Sequence, residues 1–342
     1  MKKNWLAQWF RILHERGQTD WLPFIELDLV TGEQWDYSFF HREKDGAVII
    51  SECMRRRGIP MPPMKPMAKP GFFRMIGCFL QGMRINGHQP PPAWKELHRN
   101  LGGKPPKLLW LLLPTNVQTA LMACAKQRKI SNNALILHHM VKATSAHLMT
   151  SDGGSWMMPV NMRGAFPDAP LEGVQVSYLP LRIGTHTDAA NIHAQIREGF
   201  KRQLHWATWA VGHIGMLVGL RGMRYLSRKS SQRVFWVGSY SDVGDWTPAT
   251  PLAPEHQNLM WVAVPPGSPN NPIGCASFIW NGRRSLALSI HPSILPERNA
   301  EVTAEILRDF ATRLGADIGV DPTLMTVKEV IGKPAPALAP VP

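Results

Sequence analysis

Cysteine is scarce in this chain: Cys53, Cys78, Cys124 and Cys275 are all that 342 residues contain, far apart and with no Cys-x-x-Cys pair. That spacing suggests neither a disulfide framework nor a zinc site, and reduced thiols without a metal are the expectation. Long apolar runs are missing as well. The nearest approach, Leu108-Leu109-Trp110-Leu111-Leu112-Leu113, is strand-sized and is stopped by Pro114, well short of the roughly 18 residues a membrane helix needs. The amino terminus starts with positive charge at Lys2 and Lys3 but offers neither a sustained apolar region nor a small-residue cleavage site, so no signal peptide is read and the cytoplasm is the expected compartment.

Acidic residues are also few. Twenty-five Asp and Glu face 38 Lys and Arg, a formal charge of +13 and a pI near 9.9, which favours anionic partners. The basic residues are dispersed, with short clusters at Arg55-Arg56-Arg57, Arg221 to Arg228 and Arg283-Arg284, and no RNA-binding or helix-turn-helix signature accompanies them, so nucleic acid is the weakest fit. A phosphorylated acyl carrier, coenzyme A or a phosphopantetheine protein, fits the charge equally well and agrees with the motif at His41. The cluster Arg55-Arg56-Arg57 reads either as a solvated helix end or as a dock for such a phosphate or an acidic carrier protein.

The length favours two domains. Phe24 to Leu29 alternates, Thr31-Gly32-Glu33 can turn, and Trp35 to Phe40 follows, which makes a hairpin; Ala47 to Met54 can start a helix. Residues 60–107 are rich in proline around the apolar island Phe72 to Leu80 and read as a crossover. From Pro114 the pattern changes. Thr115 and Ser131 can cap two helices, and Met157 to Gly164 and Val174 to Leu181 read as strands. A helix over 188–203, strands at Val234–Ser241, Met260–Val264, Ala276–Trp280 and Leu286–Ile290, the turn Asn281-Gly282 and a helix over 297–314 complete the series. The division expected is an amino-terminal lobe over 1–107, a carboxy-terminal lobe over 108–330 and a Pro/Ala tail over 331–342.

His41-Arg42-Glu43-Lys44-Asp45-Gly46 carries the chemistry. A His-x-x-x-Asp-Gly run after an apolar strand supplies a general base and a carboxylate that props its loop, which points to acyl transfer. The plain alternative is a solvated, charged turn. His138-His139 invites the same reading, but Ala143 stands where the aspartate should be and the pair falls inside a helical pattern, so packing is expected there.

The order of these segments resembles a family. The hexapeptide, the two-helix stretch 115–148, Met158-Pro159-Val160-Asn161-Met162-Arg163, the strand from Gly173 to Leu181 and Gly238-Ser239-Tyr240-Ser241-Asp242-Val243-Gly244 are similar to the chloramphenicol acetyltransferase and condensation-domain superfamily, over roughly residues 21–315. The resemblance implies an α/β (α+β) fold of two acetyltransferase-like lobes with mixed sheets, the amino-terminal one abbreviated, because only 40 residues precede His41. It implies His41, Asp45 and Gly46 as the catalytic set, with His41 the base that deprotonates an alcohol or amine attacking an acyl thioester. Asp45 would pair with Arg163, and Ser239 or Ser241 would supply a hydroxyl to the oxyanion. The donor would be acyl-CoA or a phosphopantetheine-linked acyl group acting as co-substrate, with no bound cofactor. Phe40 stands where many relatives have a first histidine. The alternative is an inactive condensation-domain-like protein that binds an acyl carrier or a protein partner. A shortened lobe implies association into a homo-oligomer or hetero-complex, with the Trp5 to Leu13 segment as a contact.

Overall fold

The computed structural model describes residues 5–15, 20–85, 90–98, 108–166, 174–263, 265 and 267–330; the tail over 331–342 lies outside them. The chain opens with α1 (Trp5–Glu15), β1 (Trp21–Leu22), β2 (Phe24–Asp28), β3 (Gln34–Asp36), β4 (Phe39–Phe40) and α2 (Gly46–Arg56). Next come α3 (Phe72–Ile85), β5 (Leu108–Leu113), α4 (Thr115–Gln127), α5 (Asn132–Leu148), β6 (Gly154–Asn161), β7 (Val176–Ile183), α6 (Ala189–Lys201), α7 (Leu204–Gly215) and α8 (Gly219–Arg233). The last elements are β8 (Gly238–Asp245), β9 (Leu259–Ala263), β10 (Ile273–Trp280), β11 (Arg283–Ile290), α9 (Asn299–Ile318) and β12 (Thr326–Val330).

A seven-stranded sheet in the order β12-β5-β11-β10-β8-β6-β7 is the backbone of the larger lobe. It is mixed: β8 runs parallel to both β10 and β6, and the other pairings are antiparallel. The smaller lobe carries an antiparallel sheet, β3-β2-β9, so the mixed character sits in the larger lobe alone. Strand β9 leaves the carboxy-terminal half of the chain to pair with β2, Phe24 opposite Ala263 and Asp28 opposite Leu259. The two lobes therefore share a sheet.

Alternation along the strands gives the seven-stranded sheet two apolar faces. Leu111, Tyr240, Cys275 and Leu286 pack with α4, α5, α6 and α9 in one core. Ala276, Phe278 and Trp280 point the other way, into a second core with Phe24, Ile25, Ile49, Ile50, Cys53 and Trp261. Fully buried Glu26 ties that second core together: its carboxylate accepts from Arg57 Nη2 at 2.6 Å and from Trp261 Nε1 at 2.9 Å.

Several sequence expectations move. The apolar island 72–80 is a full helix, α3, packed along α7 so closely that a Cβ at Gly82 would come within 2.3 Å of the Ala207 carbonyl oxygen. Helices α7 and α8 were not read at all. The first is apolar nearly all round, so no period-3.6 contrast marks it. Strand β8 starts at Gly238 rather than Val234: the Trp236 and Val237 amides donate to the Asn270 and Ser155 carbonyls, at 2.7 and 2.8 Å, and the paired register with β10 and β6 begins at Gly238. The turn at Asn281-Gly282 forms as expected, with φ of 48° and 71°.

Candidate active site

Antiparallel pairing of Phe39–Phe40 with Trp21–Leu22 delivers His41 at a strand end. The loop that follows is fastened at several atoms. The His41 amide donates to the Asp20 carbonyl at 2.7 Å, and Arg42 donates its amide and its guanidinium to the Asp20 carboxylate, at 3.1 and 3.0 Å. Asp20 is buried. Sequence reasoning missed it, since a lone aspartate ahead of a strand has no motif. Lys44 Nζ donates to Glu52 at 2.7 Å on the first turns of α2.

The imidazole is oriented by the loop itself. His41 Nδ1 lies 3.0 Å from the Lys44 carbonyl oxygen, which can only accept, so Nδ1 carries the proton and the neutral ring keeps its lone pair on Nε2. Among the described residues Nε2 makes no hydrogen bond. A half-buried ring with a fixed tautomer and an unengaged Nε2 has the form of a general base. The ring of Phe10, from α1, stacks on it at a centroid distance of 4.5 Å.

Asp45 and Gly46 are inserted where the large sheet splits. Strands β6 and β8 pair only at Trp156–Gly238 and Met157–Ser239 and then diverge. Asp45 bonds to the β6 and β7 side of that wedge: Arg163 Nη1 donates to its Oδ2 at 2.8 Å and the Gln175 amide donates to the same oxygen at 3.0 Å. Its Oδ1 accepts from the Val48 amide at 3.3 Å and so caps α2. Gly46 meets the other side, where a Cβ would stand 3.9 Å from Val243 Cγ2. The side chains of Arg163 and Asp45 are 4% and 3% exposed, so the pair the sequence named is formed and desolvated.

Arg163 is held in turn. Asn161 Oδ1 accepts from its amide at 3.0 Å. Gly164 lies so close to the proline-rich segment that a Cβ would come 2.1 Å from the Lys65 carbonyl oxygen, while the Met67 amide donates to the Gly164 carbonyl at 2.9 Å. A buried ion pair of this kind fixes geometry more than it adds net stability.

Ser239 and Ser241 alternate with Tyr240 and Asp242, and so share the face of β8 that carries Val243 toward Gly46. No hydrogen bond joins either serine to the loop among the described residues. On the opposite face Asp242 pairs with fully buried Arg284 at 3.1 Å. Ser277 Oγ donates to Asp242 at 2.7 Å and Arg284 Nε donates to Gln118 at 3.1 Å. Arg284, expected in a basic cluster, is thus an internal ion-pair member, because its position on β11 faces the core. This network floors a cleft of about 670 Å³ lined also by Met122, Lys126, Asn132 and Asn133. One strand's thickness separates that cleft from the His41 loop.

The remaining candidates are structural. Arg57 is spent on Glu26, and Arg56 lies over the Tyr37 ring at 5.2 Å. His138 and His139 sit within α5 as expected; His139 contacts Asp317 at 2.9 Å, and burial pushes its pKa down to about 4. No group of three or more His, Cys, Asp or Glu that could hold a metal occurs among the described residues, nor is any described helix long and apolar enough to cross a membrane. Helix α1, where a contact for another chain is expected, has Ile12 buried, Phe10 on His41, and Glu15 paired to Arg224 of α8 at 2.8 Å.

No family model matches the chain, and no curated protein matches it. Solved structures do. The cyclization-docking bidomain of the EpoB nonribosomal peptide synthetase from Sorangium cellulosum superposes with a TM-score of 0.56 at 13% identity, over 84% of this chain and 60% of that one. The TRI3 trichothecene 15-O-acetyltransferase of Fusarium sporotrichioides gives 0.52 at 12% identity, over 91% and 75%. SgcC5 of Streptomyces globisporus gives 0.51 at 14%, over 82% and 68%. The fold is therefore the two-lobed chloramphenicol acetyltransferase and condensation-domain fold. The chain spans about 60% of the length of the first of these neighbours.

Proposed function

We propose that this chain transfers an acyl group from a thioester, on coenzyme A or a carrier protein, to an alcohol or amine. The observation that carries the reading is the state of His41: Nδ1 is committed to the Lys44 carbonyl, Nε2 is unengaged, and the loop is anchored to the larger lobe through Asp45 and Arg163. His41 Nε2 takes the proton from the acceptor as its oxygen or nitrogen attacks the thioester carbonyl. The tetrahedral oxyanion that forms needs donors, and Ser239 or Ser241 on the loop-facing side of β8 supplies a hydroxyl. Collapse expels the thiolate, which takes from His41 Nε2 the proton removed from the acceptor and leaves as the thiol. Asp45 and Arg163 are positioning residues, and a Cβ at Gly46 would meet Val243 at an ordinary van der Waals distance. The fold supports this reading, since its solved neighbours include an acetyltransferase.

A second reading draws on Phe10. Its ring lies against the imidazole, which suits a protein that keeps the site as architecture and binds an acyl carrier or a protein partner. Thiol release from a panel of short and long acyl-CoA and acyl-pantetheine thioesters, with and without alcohol and amine acceptors, separates the two. Acceptor-dependent release supports the transferase. Binding without release across the panel supports the non-catalytic relative.

A further inference from the structure

The positive charge is not spread evenly. Residues 53–95 and 199–241 hold 15 of the 38 Lys and Arg and none of the 25 Asp and Glu, so the rest of the chain, 23 basic against 25 acidic, carries none of the surplus. The fold brings these two stretches together, because α3 lies in one and α7 and α8 in the other. Arg74, near the start of α3, reaches Gln203 just ahead of α7 at 3.0 Å, and Gly82, further along, meets Ala207 and Val211. The two helices thus run side by side in the same direction. The turn at Met216–Val218 then links α7 to α8.

Helix α3 has more apolar surface than α7 can cover. Met75, Cys78, Phe79 and Gly82 form the sector turned inward. Phe72, Phe73, Ile76, Leu80 and Met83 form a second sector turned to solvent, with Phe73 85% and Leu80 63% exposed. Leu217, at 84% exposure, and Val218 are exposed in the turn between α7 and α8, and Tyr225 and Leu226 lie exposed on α8. Around them stand Arg221, Arg228, Lys229 and Arg233, all exposed. Exposed aromatic and aliphatic side chains beside cations, with no acidic residue among them, are the composition of a helix that lies in a lipid interface.

We propose that the α3–α8 face docks on an anionic lipid surface, with Phe72, Phe73, Ile76, Leu80 and Leu217 entering the headgroup and acyl boundary and the α8 cations meeting phosphate headgroups. Charge complementarity selects this occupant. A second copy of the chain would press the same cationic face against itself, the acid described beside it, Glu15, being already paired with Arg224, whereas an anionic bilayer supplies an apolar layer and negative charge together. Helix α3, with 14 residues, is about 21 Å long, enough to lie in the interface and too short to cross it.

The test is sedimentation of the full chain with vesicles of phosphatidylcholine alone or with about one-third phosphatidylglycerol, at about 0.1 M and about 0.5 M salt. Binding to the anionic vesicles, at least tenfold weaker on neutral ones and in high salt, is expected, each cation near the surface being worth roughly fivefold. Phe73→Glu with Leu80→Glu lowers binding by roughly tenfold or more without changing the thermal melt, since both side chains already face water; Arg221→Glu with Arg228→Glu weakens binding to anionic vesicles only. No binding, equal binding to neutral vesicles, or a Phe73/Leu80 variant that binds like the parent overturns the proposal. So does light scattering that shows the parent associated and that variant monomeric, which would make the face a protein interface.

Discussion

Two aspartate–arginine pairs meet at strand β8, the buried Asp45–Arg163 on one face and Asp242–Arg284, its aspartate 13% exposed, on the other, and they differ in what is left over. Asp45 spends both oxygens, on Arg163, the Gln175 amide and the Val48 amide. Asp242 receives Ser277 and Arg284 on Oδ1 alone, and the cleft of about 670 Å³ opens beside it. A carboxylate with both oxygens engaged by donors of its own protein is suited to positioning a loop. The first pair bridges residues 118 apart in sequence and locks the candidate base to the other lobe, while the second ties β8 to β11 across the intervening β10 within one sheet.

The largest effect on stability is expected from breaking the closed pair. Arg163→Ala leaves the Asp45 carboxylate buried without its cation and should cost about 3–5 kcal/mol, read as a lowered denaturation midpoint. Asp45→Asn keeps an N-cap and isolates the charge, so its loss should be smaller and should not add to that of Arg163→Ala in the double variant. Full additivity would mean that the two residues act separately and that the lock is not what holds the loop.

Breaking the open pair sharpens the contrast. Asp242→Asn retains an acceptor for Ser277 and one side open to the cleft, so about 1–3 kcal/mol is expected. Activity per folded molecule should stay within a few fold of the parent, because β8 presents its other face to the His41 loop. A variant that folds normally yet loses turnover would put the cleft inside the reaction path.

A smaller effect comes from pH. Burial alone pushes the His205 pKa down to about 4, and burial does the same to His139 against the opposing pull of Asp317. Both groups bind a proton more readily in the unfolded chain, whose histidines titrate near 6.5. Their contribution is therefore present above about pH 6.5 and is lost as pH falls toward 4, at up to about 1.4 kcal/mol per group per pH unit. His205→Gln should flatten that slope in melts taken between those limits. An unchanged slope would mean that His205 reaches water in the native state.

How much of this was legible in sequence follows from the kind of signal each element carries. The hexapeptide, the capped helix behind Ser131 and the turn at Asn281-Gly282 have local chemistry that fixes them, and they stand where expected. The Asp45–Arg163 pair came from resemblance and not from spacing. Asp20, which holds His41 and Arg42 through long-range bonds, left no trace in the local pattern. Arg284 looked like surface charge because its neighbour Arg283 is basic too, yet strand alternation sends the two to opposite faces. Helix α7 hid because it is apolar almost all round, and the exposed sector of α3 lay within a proline-rich stretch that reads as a crossover.

The central claim is that His41 is a base on a loop whose architecture does not depend on it. Its most direct test is acceptor-dependent thiol release by His41→Ala beside its thermal melt, using whichever thioester the parent turns over. The account predicts a melt like the parent's and a rate lower by roughly 10²–10⁴. A variant that melts like the parent and releases thiol at the parent's rate contradicts it.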